Sequence, residues 1–340
     1  MTTSLVIQTS FIGDTVLTTP LLAQLANRGP VDVVTTPASA TLLAGHPAVR
    51  EVIVYDKRGA DRGLGGFVRL VGRLRRGGYE VAFLAQGSLR SAALAFFARI
   101  PSRVGFSTSG GAWLYTRRVA YRDDLHHAAR LLQLARPNGR EATAEELRPT
   151  LVPGEAERAA VDALLRAHGV APGDPLMALA PGSVWGTKRW PFYPSLAKSL
   201  TNIAHVVIVG GADDTALAAE IRAAAPEAID ATGRLSLLAS AELLRRCAIL
   251  VTNDSAPEHL ASAVDTPTVA LFGPTVPDFG FGPLATRSAV VGLDTLPCRP
   301  CDRHGPMRCP LGHHRCMRDL PPDVVADRVR ALLSNHPPLA

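Results

Sequence analysis

The sequence predicts a doubly wound α/β protein made of two similar halves, and three observations carry that expectation. Short apolar runs rich in β-branched residues alternate with longer segments of helical periodicity along the whole chain. The rhythm breaks at residues 148–153 and again at 170–175, where proline and glycine collect. With 340 residues, 47% of them hydrophobic and 19% charged, the chain can bury two cores of ordinary size.

In order, strands are expected at 5–9, 31–35, 52–55 and 81–85, then at 176–180, 205–209, 248–252 and 267–272. Runs such as LMALA and AILVT are apolar at consecutive positions, as parallel strands covered on both faces are. Helices are expected between them, at 16–27, 64–76, 156–168, 215–225, 235–246 and 321–333. This gives a first domain at 1–152 and a second at 153–340. Rossmann-like halves bind ligands beyond the carboxyl ends of their strands, so a cleft between the two sets of strand ends is expected.

Bulk properties narrow the function. The formal charge is +6, and all but three of the 36 basic residues are arginine (the lysines are Lys57, Lys188 and Lys198), which favours anionic partners. Aromatics are only 5% of the chain and are not interleaved with the basic residues, which disfavours nucleic acid. No GxGxxG follows a strand and no GxxxxGK[ST] occurs, against a dehydrogenase and a P-loop enzyme. No apolar run approaches the roughly 18 residues of a membrane span, and the first residues lack a basic, then apolar, leader pattern. A cytoplasmic location is therefore expected.

Three strand-to-helix junctions carry chemistry. In the first, Thr9–Thr15, Gly13 is expected in a tight turn and Asp14 where a helix cap belongs; Asp14 serves either as that cap or as a general base. In the second, PGSVWGTKRWP at 181–191, a glycine-bearing loop joins Ser183, Thr187, Lys188 and Arg189. It is either a cradle for a diphosphate, with Lys188 facing developing phosphate charge, or a basic surface loop pinned by tryptophans. In the third, Asp254 or Ser255 is expected to cap a helix whose free N–H groups meet phosphate oxygens, with His259 one turn further in.

Taken together, TSFIGD with the following TTPLL, PGSVWGTKRWP, and NDSAPEHLASAV followed by ALFGPT make the chain resemble glycosyltransferase family 9, the ADP-heptose:lipopolysaccharide heptosyltransferases. The resemblance spans nearly the whole chain in the family's order. It implies a GT-B fold, two Rossmann-like domains with parallel sheets facing across a cleft. It also implies an ADP-L-glycero-β-D-manno-heptose donor, a lipopolysaccharide inner-core acceptor, and inversion at the anomeric carbon with no metal required. By position, Asp14 would deprotonate the acceptor hydroxyl in an acceptor-binding first domain. Ser183, Thr187, Lys188, Asp254, Ser255, Ala256 and His259 would hold the nucleotide-sugar on the second. Ala256 departs from a frequent family glycine, and Glu258 from a frequent apolar residue.

Two features stand apart from these loops. Cys298, Cys301, Cys309 and Cys316 lie within one segment, 298–316, with histidines between them. Their number suits a structural zinc or iron centre, though the second pair is more widely spaced than in common zinc ribbons; reduced thiols are the alternative. Similar cysteine-rich tails occur in some heptosyltransferase II-like sequences. In the helix at 64–76, Arg69, Arg73 and Arg76 line one face, solvated or meeting acceptor phosphates or the anionic inner-membrane surface. Gly13, Arg69 and Arg73 are accordingly expected near the acceptor, and loops 86–90 and 107–113 are expected to shape its pocket. The rival functions for this architecture are a nucleotide-sugar epimerase and a non-catalytic nucleotide-sugar-binding protein.

Overall fold

A computed structural model describes residues 1–136 and 140–334 of the chain. It divides into two compact units, Met1–Leu151 and Val152–Ala340.

The first unit runs β1 (Ser4–Gln8), α1 (Ile12–Ala26), β2 (Val31–Thr35), α2 (Pro37–Leu43), β3 (Glu51–Val54), α3 (Gly63–Arg76), β4 (Val81–Leu84), α4 (Leu89–Phe97), β5 (Ser102–Phe106), β6 (Arg117–Val119), α5 (His127–Ala135) and α6 (Ala144–Leu147). Its sheet is parallel throughout in the order β3-β2-β1-β4-β5-β6. Side chains alternate across a strand, and here both faces are dry. Leu5 and Ile7 of β1 pack with Leu70 and Leu74 of α3 and Leu94 of α4. Val6 points the other way, into Leu21, Leu22 and Leu25 of α1 and Leu131 of α5. Pro20 lies inside α1 and cannot bond the Val16 carbonyl one turn back; the Thr19 hydroxyl does so at 2.8 Å.

The second unit runs α7 (Glu155–Ala167), β7 (Leu176–Ala180), α8 (Tyr193–Leu200), β8 (His205–Ile208), α9 (Thr215–Ala224), β9 (Ile229–Asp230), α10 (Leu237–Arg245), β10 (Ile249–Asn253), α11 (Ala256–Ala263), β11 (Thr268–Phe272), β12 (Ser288–Gly292), α12 (Arg315–Arg318) and α13 (Pro322–Ser334). Its parallel order, β12-β11-β10-β7-β8-β9, repeats that of the first unit read from the other edge. One face of this sheet is covered by Tyr193 and Leu196 of α8, Ile221 of α9, and Val325 and Val329 of α13.

All eight expected strands are present within a residue at either end. Four more, β5, β6, β9 and β12, were not foreseen. Helix α1 begins at Ile12, four residues before its expected start. Each sheet reverses its winding at one place, between β1 and β4 and between β7 and β10. The loops leaving the carboxyl ends of those strand pairs are where ligands bind in such sheets.

Candidate functional site

In the second unit the reversal brings two chemically loaded loops together. The loop after β7 carries Ser183, Thr187 and Lys188; the loop after the neighbouring β10 carries Asp254 and Ser255. Lys188 Nζ lies 2.6 Å from Asp254 Oδ2, with each side chain about nine-tenths buried. The Thr275 hydroxyl, just beyond β11, donates to the same oxygen at 2.6 Å. Lys188 is thus a buried cation held in place by a carboxylate and not a free surface charge.

Asn253 ties the two loops. Its Nδ2 donates to the Pro181 carbonyl at 2.9 Å, and its Oδ1 accepts from the Trp190 amide and the Tyr193 hydroxyl, each at 3.3 Å. The sequence alone does not assign Asn253 this role. The available signal is that a buried strand-end amide must find partners on neighbouring backbone. A Cβ at Gly182 would lie 2.2 Å from an Asp214 carboxylate oxygen, so a side chain there would push Asp214 off the Gly211 amide it accepts from.

At the mouth of α11, Ser255 occupies the N-cap position with extended backbone, but its hydroxyl donates to the Asn253 carbonyl at 3.3 Å. The side-chain cap expected from Asp254 or Ser255 is not made: Asp254 precedes the cap and is taken by Lys188 and Thr275. Ala256 opens the helix and Pro257 follows, a position where a missing N–H is harmless. His259 is buried, its ring 6.4 Å from that of Phe281. Glu258 has no exposed surface, and neither carboxyl oxygen has a hydrogen-bond partner among the described residues. Burial, and secondly the Asp254 charge, push its carboxyl well above the usual carboxylate range, with Lys188 opposing.

The cysteine-bearing segment packs on the Lys188 loop. The Pro306 carbonyl accepts from the Thr187 amide at 3.3 Å and from its hydroxyl at 2.5 Å, while His314 Nε2 lies 2.7 Å from the Thr187 carbonyl. Among the described residues no group of three or more His, Cys, Asp or Glu is placed to hold a metal ion. Cys298, Cys301, Cys309 and Cys316, the residues expected to hold a structural zinc or iron, are in no disulfide. Cys301 turns its thiol to the Cys298 carbonyl at 3.2 Å, and Cys316 is packed in the apolar core beside Met317. Burial pushes the Cys316 thiol up to about 11. The segment that carries these residues buttresses the Lys188 loop, and Cys298, Cys301 and Cys309 line one pocket.

In the first unit the corresponding reversal gathers a second polar group. Phe11, not Asp14, is the N-cap of α1; Gly13 lies inside the first helical turn and is buried, so no tight turn depends on it. Asp14 sits in that first turn, its side chain about one-fifth exposed. Its Oδ2 lies 2.6 Å from the Ser10 hydroxyl and its Oδ1 3.7 Å from His127 Nε2. Lys57, after β3, donates to the Thr9 carbonyl at 2.7 Å, and Gln86, after β4, to the Thr9 hydroxyl at 2.6 Å. Burial, aided by Arg58 and Arg90, lowers the Lys57 ammonium's pKa. His127, first residue of α5, was not foreseen. It is delivered by the fully buried Arg130, which donates to the carbonyls of Arg122 and Asp123, each at 2.7 Å. Arg69 and Arg73 are held elsewhere, by Asp61 at 3.1 Å and Glu51 at 2.7 Å, in exposed pairs outside the Asp14 group.

A family model described as glycosyltransferase family 9 (heptosyltransferase) matches residues 67–309. The lipopolysaccharide heptosyltransferase 2 of Salmonella typhimurium is 32% identical, over 98% of this chain and 99% of the relative. The lipooligosaccharide heptosyltransferase 2 of Haemophilus influenzae is 30% identical, over 97% and 99%. Among solved structures, the ADP-heptose lipopolysaccharide heptosyltransferase II of E. coli is similar with a TM-score of 0.79 and 29% identity, over 98% of this chain and 99% of that one.

Proposed function

The chain belongs to glycosyltransferase family 9, with doubly wound units of the GT-B class, and we propose that it moves heptose from an ADP-heptose donor to the lipopolysaccharide inner core. The observation that carries the reading is the buried cation Lys188 beside Asp254 and the mouth of α11, at the winding reversal of the second sheet. A fixed cation and helix N-terminal N–H groups suit a diphosphate whose charge grows as the sugar leaves.

In this reading the second unit seats the donor, through Ser183, Thr187, Lys188, Asp254, Ser255, Ala256 and His259. Asp14 takes the proton of the attacking acceptor hydroxyl, with Ser10 and His127 holding its carboxylate in position. A single in-line displacement then inverts the anomeric carbon: the acceptor C–O bond forms as the bond to phosphate breaks, and ADP leaves. No step is routed through a metal. The epimerase alternative would need no acceptor at all.

The test is ADP release from ADP-heptose, with and without a heptose-deficient inner-core acceptor, with a chelator present in a parallel series. Acceptor-dependent release, a matching mass gain on the acceptor, and indifference to the chelator are the expected results. Release or isomerisation of the sugar without acceptor would remove the transferase reading. Loss of turnover on chelation would return the metal to the chemistry.

The proposal also sets the enzyme in the cytoplasm, working peripherally at the inner-membrane face. No helix among the described residues is long and apolar enough to cross a membrane. Helix α3 exposes Leu64 and Val68 one turn apart, and the adjoining α4 exposes Phe96 and Phe97, the latter edge-on to Phe67 of α3. Arg75 reaches the Phe97 carbonyl and Arg103 lies over the Phe96 ring, so cations flank the apolar residues. Such a surface suits shallow insertion among anionic headgroups. Cosedimentation with anionic vesicles should be strong at low salt, weak with neutral vesicles, and reduced severalfold by Leu64→Glu/Val68→Glu. Unchanged binding by that variant would remove this face as the contact.

A further inference from the structure

Glu258 is a donor-loop group that the reading above leaves without a task. It stands three residues beyond the N-cap Ser255, where an acid commonly reaches back to the cap's amide; no such bond forms here. It is wholly buried, and its oxygens have no hydrogen-bond partner among the described residues. A carboxyl so placed keeps its proton, because an uncompensated buried charge costs far more than a neutral group.

The charges around it are few. From the loop after β7 comes Lys188, and from the loop after β10 comes Asp254, 2.6 Å from that ammonium. On its own helix the next residue is His259. On the adjoining α10, Glu242 is already paired with Arg245 and Arg246, and Asp278, on the turn after β11, is exposed to solvent. Lys188 and Asp254 cancel, so the seat is neutral only while Glu258 is uncharged.

We propose that Glu258 sets the charge of the donor seat: uncharged, it lets Lys188 accept a diphosphate, and ionised, it makes the seat net negative and drives that ligand out. This deepens the donor reading of the loops after β7, β10 and β11 and rests on it. A single added charge about 10 Å or less from a polyanion, in surroundings that screen poorly, weakens binding about tenfold or more.

The experiment is calorimetric titration of the whole protein with ADP from about pH 6 to about pH 9.5, for wild type, Glu258→Gln and Glu258→Met. Titration of the ADP phosphate is common to all three, so the difference between curves reports the charge at Glu258. Wild-type affinity should fall about tenfold further than that of either variant as pH rises. Thermal unfolding in the same buffers confirms folding and supplies a second readout. A carboxyl whose folded-state pKa is raised contributes stability at low pH that is lost as pH climbs, so the melting temperature of Glu258→Met should gain on wild type toward high pH. A merely structural Glu258 would shift melting and leave the ADP curves parallel. Parallel curves with ADP bound overturn the inference alone; no ADP binding by wild type at any pH overturns the donor reading and this one with it.

Discussion

Asp14→Asn is expected to lower kcat for heptose transfer about 10²- to 10⁴-fold while ADP binding stays close to wild type. Asparagine keeps the side chain's shape and can still accept from the Ser10 hydroxyl, so the first turn of α1 need not move. What it loses is the ability to take a proton from the acceptor hydroxyl. ADP affinity should be indifferent, because every group proposed to hold the nucleotide belongs to the second unit. His127→Ala should cost less, and almost nothing further when added to Asp14→Asn, because a group that acts by positioning a base has no work once the base is gone. Steady-state ADP release and calorimetry on the three variants test this. Near-normal turnover by Asp14→Asn would remove that residue from the chemistry, and additive losses would give His127 a separate role.

The parts of this molecule legible from sequence are those where burial is two-sided. Strands β1, β2, β7, β10 and β11 are buried at every residue, so their sequences had to be mostly apolar and their ends stood out. Three of the four unforeseen strands lie at sheet edges: β6 reads RRV, β9 has two residues, and β12 is largely exposed. β6 and β9 are too short to show an apolar run, and β12 lacks the two-sided burial of the central strands. The fourth, β5, reads SRVGF, and its Gly105 leaves room for the Tyr115 ring, which would lie 2.4 Å from any Cβ there.

The same logic divides the candidate site. Lys188 and Asp254 stand out because each sits in a polar loop directly after an apolar strand. Their contact is not local; it exists because the strand order sets β7 beside β10. His127 was invisible for a related reason. It lies more than a hundred residues from Asp14, and its placement depends on Arg130 being buried whole, which the pattern of α5 does not announce. The cysteine cluster divides differently. Spacing within a segment is legible, but whether four thiols converge depends on one turning to a carbonyl and another facing the core. Asp14 was misplaced by three residues of helix: a glycine followed by an acid reads as a turn and a cap, whereas α1 had already begun at Ile12.

Lys188→Ala should abolish detectable donor turnover and also destabilise the second unit by about 3–5 kcal/mol, and the two losses can be separated. The ammonium and the Asp254 carboxylate are both about nine-tenths buried, so removing the cation strands a carboxylate whose remaining hydrogen bond among the described residues comes from Thr275. That penalty belongs to the leftover charge and not to catalysis. Lys188→Met/Asp254→Asn removes both charges at similar volume and should recover most of the stability, as charge-free replacements of buried pairs do. It should not recover function. A cation facing the departing diphosphate is worth about 10²- to 10³-fold in rate, and a methionine offers the phosphate nothing. Urea unfolding and ADP-release kinetics on the single and double variants decide it. Joint recovery of stability and turnover would make the pair purely structural. Stability regained with turnover still absent would leave Lys188 as the group that meets the leaving phosphate.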